Sequence, residues 1–508
     1  MKNILYIIVL LFITTNIMGQ AFDDAIRFNK NELTGTARSL AMANAFSALG
    51  GDLSAITLNP ASIAVYRSSE FSFTPSISFN STKANYGEFN QQEDKYSMPF
   101  NQIGGVTTYR PLRERETGLI STHFGFTYNR TANYNQNIRI NLGEQISSEN
   151  SLLNVFRDKA DGNSPGNLVD YEEMAFNTFL IDTLPGASPF YFNTLEGIDT
   201  DNNIFPRDAN GIDQEKMIEK RGYAGEYGLT FGANISNKFL LGGSLNFNSF
   251  SYDERSTYRE INNYGLTGAD KTTYPYDLDY YDKYTALEQD GFGVNLKIGA
   301  IFNLHPVRLA ASLSSPTFYN IKEKYHFGLN TYYQNGDRFQ EKRVADNSNY
   351  NYRTPIRFTT GAAFIIGKVG ILSIDYELTD HTTSKFSPKS GSSRALDQLN
   401  SMIKERYKST HNLRTGFEYK PIANLALRAG FAYYDSPYKK EYVERSPKQY
   451  QYTGGFGIRD KNFYFDLAYS LTQIKSDYFV EEYDLIFDPA VKLENSNHQV
   501  AMTFGWKF

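Results

Sequence analysis

From about residue 71 onward, large apolar residues recur at every second position. At the end of the chain Val500, Met502, Phe504, Trp506 and Phe508 are apolar, while Gln499, Ala501, Thr503, Gly505 and Lys507 between them are small or polar. The same period runs through Phe463, Phe465, Leu467, Tyr469 and Leu471, and through Leu425, Leu427, Ala429, Phe431 and Tyr433. It returns in Leu413, Phe417 and Tyr419, in Val294, Leu296, Ile298, Ala300 and Phe302, and in Ile120, Phe124, Phe126 and Tyr128. Successive side chains of a strand point to opposite faces, so this period predicts strands with one apolar face. Strands are expected near 71–82, 100–110, 118–130, 223–235, 239–252, 288–304, 307–324, 351–367, 370–383, 410–420, 423–435, 448–460, 461–475 and 496–508. That is about fourteen.

Short and long connections take turns between these strands. "PLRERET", "SNK", "LHP", "GKVG", "KPIAN" and "RDKN" are tight; 83–99, 131–222, 253–287, 325–350, 384–409, 436–447 and 476–495 are long. A soluble sandwich also alternates but has no reason to sort its loops by length. A transmembrane barrel does, with short turns on the periplasmic side and long loops outside. The polar faces are rich in Gly, Asn and Ser with scattered charges of both signs, which suits a wet lumen. Tyr128, Tyr419, Tyr433 and Trp506 fall near strand ends, where interfacial girdles form. The expected fold is an all-β membrane protein: an antiparallel transmembrane β-barrel of about 14 strands over residues 71–508. The longest outer loops are 131–222 and 253–287.

Residues 20–70 do not alternate. Leu40, Ala41, Ala45, Ala48 and Leu49 share one side of a helical spacing, with Thr34 or Thr36 as a cap and Gly50-Gly51 as a stop. Asp52 can cap a second short helix, and Pro60 fits the first turn of a third. Fifty residues with so few large apolar groups make a marginal core on their own. Small side chains instead allow close packing inside a container, so a small N-terminal helical hatch in the lumen is expected. Ahead of it, Lys2, the run "ILYIIVLLFI" and the small Gly19 read as a cleaved signal peptide over 1–19. The apolar run is shorter than the roughly 20 residues of a spanning helix.

Composition narrows the chemistry. There are no cysteines, which excludes disulfides, thiolate metal sites and cysteine nucleophiles. The net charge of -5 and the scattered basic residues do not point to nucleic acid. Mean hydropathy is -0.48, which a barrel tolerates because only alternate strand residues meet lipid. His123, His305, His326, His381, His411 and His498 form no catalytic constellation, and no GxSxG elbow exists; no enzyme activity and no cofactor are expected. In "DTDNNIFPRDANGID", Asp199, Asp201 and Asn203 have the spacing of a calcium loop. Ile204 stands where that loop needs glycine.

The run "GTARSLAMANAFSALGGDLSAITLNPASIA" resembles the hatch of the FadL-type long-chain fatty-acid and hydrophobic-compound outer-membrane transporters. The features that carry the likeness are Gly35, Arg38, Phe46, Gly50, Gly51, Asp52 and above all Asn59-Pro60-Ala61. The resemblance implies passive uptake of long-chain fatty acids or aromatic hydrocarbons by loop capture, hatch-linked binding and lateral release. It implies an outer-membrane location in a Gram-negative cell. Partners would be a hydrophobic ligand, outer-membrane lipids and the barrel-assembly machinery, for which Trp506 and the terminal Phe508 supply the closing signal; a monomer is expected. Phe22, Ile26 and Phe28 are the candidate ligand contacts, Gly125 a candidate wall kink, and Lys297, Arg414 and Arg428 candidate lumen cations for a carboxylate. A structural or adhesive barrel, or a haem or aromatic receptor with tyrosine ligands on outer loops, are the competing readings.

Overall fold

The structure is a computed structural model; it describes residues 24–508 except 33, 112–116, 185, 187–188, 199–202, 207–210, 264–276, 446 and 484. Fourteen antiparallel strands close into one barrel. They are β1 (Glu70–Tyr86), β2 (Phe89–Ser97 and Phe100–Tyr109), β3 (Leu119–Asn133 and Gln136–Ile146), β4 (Ile212–Ile235), β5 (Phe239–Asn262), β6 (Leu278–Leu304) and β7 (Val307–Ser314 and Phe318–Tyr333). The circuit continues through β8 (Arg338–Arg353 and Arg357–Ile366), β9 (Gly370–Asp380 and Lys385–Pro388), β10 (Ser409–Ile422), β11 (Leu425–Tyr434), β12 (Lys448–Asp460), β13 (Phe463–Tyr478) and β14 (Val491–Lys507). β14 pairs with β13 on one side and β1 on the other, Phe504 opposite both Phe465 and Phe73. No edge is left at the height of the apolar belt, which is the condition for a sheet in hydrocarbon.

The apolar positions read from the sequence form the outward belt. Leu296 and Leu427 are 58% and 45% exposed in mid-wall, as are their neighbours Phe124, Phe231, Ile298 and Phe364 to similar degrees. Side chains of this kind at such density suit acyl tails rather than water. Rings cluster at both rims. Trp506 stacks on Phe73 at 6.0 Å and packs against Phe463 at 5.5 Å at the short-turn end. Tyr128–Tyr227 at 4.8 Å and Tyr433–Tyr450 at 5.5 Å mark the other rim.

The strands run further than the alternation predicts. β4, β5 and β6 hold 24, 24 and 27 residues, whereas crossing a bilayer takes roughly 9–11. The expected long loops 83–99 and 325–350 are instead tight hairpins at Gly87 and Gly336, both with positive φ, of strands that project past the membrane. Above the belt the outward face meets water while much of the inward face packs on the cap. The outward residues therefore turn polar (Glu215 and Glu219 on β4) with Ile212 and Ile218 pointing inward, and the binary pattern of the belt is lost. Of the expected loop 131–222, the ends belong to β3 and β4. The rest forms a cap with helices Leu152–Ala160 and Asp170–Asn177 and two short hairpins. Its Leu152, Leu153, Phe156 and Met174 pack with Ile138, Ile140 and Val491 of the projecting wall. The loop 253–287 likewise gives up its ends to β5 and β6, and the signal peptide lies outside the described residues.

Residues 36–66 lie in the lumen. Thr36 caps helix Ala37–Leu40, its hydroxyl accepting from Ser39 N. The helix stops after four residues because Ala43 and Asn44 take left-handed φ of 50° and 56°. The expected helix reaching Gly50-Gly51 is therefore a single turn followed by loops. Asp52 does not cap helix Ala55–Leu58, whose N-cap is Ser54; its carboxylate accepts from the Thr36 hydroxyl and Ser54 N, closing the loop between the two helices. Asn59 caps the 3-10 turn Pro60–Val65, with Pro60 in its first turn as expected.

A charge in the belt tests its contact with lipid. Leu296→Arg should lower folding stability by about 2–4 kcal/mol in urea titrations in phospholipid vesicles. Asn320→Arg, on the outward face of β7 above the belt, should change it by less than about 0.5 kcal/mol.

Candidate functional site

The hatch sits against hollows in the inner wall. Gly125 and Gly232 face Ile63, Gly242 faces Pro60, Gly299 faces Asn59, Gly361 faces Ser47, Gly416 and Gly430 face Met42 and Ala43, and Gly455 faces Ala41. A methyl group at Gly242 would overlap the Pro60 backbone, which makes glycine a requirement of close approach there. Gly125 serves the same end. Its ladder to Val106 and Thr230 is unbroken, and the irregularities of the Leu119–Asn133 segment fall at Ile120 and Thr131 instead of at the expected kink.

Polar bonds complete the fit around the ring. Asn59 donates to the carbonyls of Ser47 and Ala300 and accepts from Ala61 N, so Asn59-Pro60-Ala61 joins two hatch turns to β6. Ser47 donates its backbone N–H and hydroxyl to Asp375 on β9, and Ala37 N donates to Thr503 on β14. Arg308 on β7 donates to the Leu49 carbonyl, and Ser312 to that of Leu58. Arg38 pairs with Glu418 on β10 at 3.3 Å, donates to the Gly51 carbonyl and lies over the Phe46 ring. Gly35 packs against Ser54; Gly50 and Gly51 take positive φ beside Val65.

The three cations expected to await a carboxylate all face the lumen, but each has its own partner. Lys297 binds Glu226 at 2.6 Å and donates to the Thr57 carbonyl. Arg414 binds Glu377 at 3.3 Å, and Arg428 binds Glu418 at 2.7 Å and Asp466 at 2.5 Å. Wall and hatch use them, so none is a free ligand cation. Parity along the strand located these side chains; their partners, 10 to 71 residues away on the next strand or the one beyond it, are set only by strand register.

Residues 24–29 form a helical turn that crosses the lumen on the outer side of the hatch. Phe28 is buried in an aromatic box, 5.0 Å from both Phe250 and Tyr352 and 6.3 Å from Phe386. Tyr352 donates to the Ala25 carbonyl and to Asn29 Oδ1; Arg27 lies 3.7 Å above the Tyr252 ring and binds Asp24 and Gln289. Two chambers flank this segment. One of about 450 Å³ is lined by Ile26, Arg27, Leu287, Tyr325 and Tyr438 below and by Tyr171, Tyr478 and Tyr483 above. The other, of about 250 Å³, is lined by Ile26, Thr379, His381, Tyr434, Pro437 and Ile474. Ile26 borders both. Phe22 lies outside the described residues, as do Asp199 and Asp201; no group of metal-binding side chains exists among the described residues.

The larger chamber is charged as well as aromatic. Lys216, Lys283 and Glu482 line it, and Glu482 bridges the two lysines, 2.6 Å from Lys283. Burial alone would raise the Glu482 carboxyl; the two lysines outweigh it and hold it down at about 2. Burial pulls Lys283 below the ordinary amine range. Sequence reading missed this triad because its glutamate sits in a loop and its lysines lie above the alternating belt.

Above the belt a seam opens in the wall between β2 and β3. The ladder between β2 and β3 runs from Tyr109–Thr122 to Gln102–Asn129 and stops. Beyond it, among the described residues, Phe89–Ser97 pairs with β1 and Gln136–Ile146 with β4. The two sides touch through side chains: Asn80 donates to the Asn135 carbonyl, Gln136 to Thr82, and Lys95 binds Glu219 at 2.6 Å.

Fold and site together define a hatch-filled, fourteen-stranded transmembrane β-barrel. No family model and no curated protein matches the chain. Solved structures do. A FadL homologue from Pseudomonas aeruginosa aligns over 94% of this chain and 98% of its own, with a TM-score of 0.52 and 12% identity. The Pseudomonas putida toluene transporter TodX aligns over 93% and 98%, with a TM-score of 0.50 and 12% identity. The chain therefore has the FadL-type fold that its hatch sequence resembles.

The hollows are testable in adjacent residues. Gly242→Leu should unseat the hatch and raise ion conductance in planar bilayers from the closed level by at least about tenfold. Gly243→Leu, where a new Cβ meets nothing closer than 3.7 Å, should leave conductance unchanged.

Proposed function

We propose that this chain is an outer-membrane channel for passive uptake of hydrophobic small molecules, long-chain fatty acids or aromatic hydrocarbons. Residues 1–19 are its signal peptide, 20–70 its hatch and 71–508 its barrel, working as a monomer inserted by the barrel-assembly machinery through the Trp506–Phe508 end. The observation that carries this reading is the stacking of two chambers directly outside a hatch fitted into the wall, with Ile26 at the border of both. Cargo captured by the outer loops enters the larger chamber. It then displaces the turn holding Ile26 and Phe28, whose aromatic box is itself a ready apolar seat. Hatch movement follows, and cargo leaves sideways into the bilayer through the wall at the height of the hatch. No energy source is required, because transfer to apolar surroundings is favourable by about 0.8 kcal/mol per methylene.

The arrangement makes hatch release inexpensive. Glu418 keeps Arg428 when Arg38 leaves, and Lys297 keeps Glu226 when the Thr57 carbonyl leaves. Neither of these two wall carboxylates is stranded, which is the costly event in breaking an ion pair. An adhesive barrel calls for a filled lumen, and the two chambers count against it.

Because the chain has no cysteines, an engineered pair is unambiguous. Ser47→Cys with Gly361→Cys should form one disulfide between hatch and β8, since a Cβ at Gly361 falls beside the Ser47 hydroxyl. Uptake of labelled oleate and toluene by cells producing the oxidised variant should fall to the level of cells lacking the protein, and reductant should restore it. Full uptake through the locked hatch would remove the hatch from the mechanism.

A further inference from the structure

The outer chamber holds a binding arrangement filled by the protein itself. Lys216 on β4 and Lys283 on β6 stand one strand apart on rigid wall, point inward and are buried. The wall carboxylates around them are engaged elsewhere. Glu254 binds Lys220 at 3.6 Å and lies 3.9 Å from Arg27; Glu260 accepts from Ser151, Leu152 N, Gln214 and Tyr258. The carboxylate between the two lysines comes from Glu482, in the loop that joins β13 to β14 and roofs the chamber. One anion faces two cations, so the triad keeps one positive charge in excess. The next residue, Tyr483, packs on Tyr171 of the cap at 4.9 Å and donates to Glu172. Glu482 thus ties loop and cap to the wall.

We propose that Glu482 stands in for an anionic head group. A carboxylate-bearing amphiphile entering the chamber takes Lys216 and Lys283 in its place, and the freed loop lifts the roof, so that head-group binding opens the entrance. This rests on the uptake reading and narrows it to anionic amphiphiles over neutral hydrocarbons. The exchange is physically balanced: the lysines hold a carboxylate in both states, the displaced Glu482 returns to water, and the ligand's apolar body adds burial. A tethered competitor lowers apparent affinity by the fraction of time it occupies the seat, so removing its charge should tighten anion binding.

The probes are octanoate and 1-octanol, measured at neutral pH on the full chain in lipid nanodiscs by equilibrium dialysis against empty nanodiscs. Amide hydrogen exchange over 479–490 is followed in parallel. Both probes should bind, but octanoate alone should speed exchange in the loop. Glu482→Gln should bind octanoate about tenfold more tightly with octanol unchanged, and Lys216→Met with Lys283→Met should lose octanoate binding only. If a variant fails to assemble, the exchange result on the unaltered protein decides. Octanol binding with no preference for octanoate and no change in loop exchange overturns the seat while leaving the uptake reading intact. Failure of both probes to bind overturns both.

Discussion

A bilayer supplies no hydrogen bonds, so every backbone N–H and C=O that crosses it must find a partner inside the protein. The pairing of β14 with β1 meets that demand for the whole wall at once. What remains follows from it. Closure fixes one face of each strand toward acyl tails and the other toward the lumen. The lumen of a fourteen-stranded cylinder is too wide for wall side chains to fill. The hatch fills it, and the inner wall is cut back to glycine where the hatch backbone comes close, at Gly242, Gly416 and Gly430, and where the Asn59 side chain does, at Gly299.

Charge placement follows the same division. Lys297, Arg414 and Arg428 are paired within the wall, so their charges stay matched when the hatch moves. The outer chamber reverses this logic. There the wall offers two lysines, and a loop provides the carboxylate. Wall ion pairs that persist without the hatch and a roof tied down by one loop carboxylate suit a passage that opens in stages.

The legible part of the sequence was the part solvated by lipid. All fourteen strands show where hydrocarbon forces large apolar residues outward, as in Leu425–Tyr433 and Val500–Trp506. The pattern ends where the outward face leaves lipid for water, and the projecting hairpins at Gly87 and Gly336 read as loops for that reason. The cap between β3 and β4 has its own helices and core, but each piece is too short to announce itself. In the hatch, small residues and Asn59-Pro60-Ala61 pointed to the lumen, while the left-handed turn at Ala43-Asn44 that ends the first helix carries no sequence signal. Lys297, Arg414 and Arg428 were placed on the correct face by parity, but their being paired depends on register with β4, β9, β10 and β13.

The chain's only tryptophan offers a direct test of the constraint beneath all of this. Trp506 lies on the outward face of the closing strand, 41% exposed in the protein alone. In vesicles of brominated phosphatidylcholine its fluorescence should be blue-shifted and strongly quenched, most by bromines placed near the head-group end of the acyl chain. Emission typical of a water-exposed indole, unaffected by bromines at any depth, would contradict the assignment of this face to lipid and with it the account of the lumen.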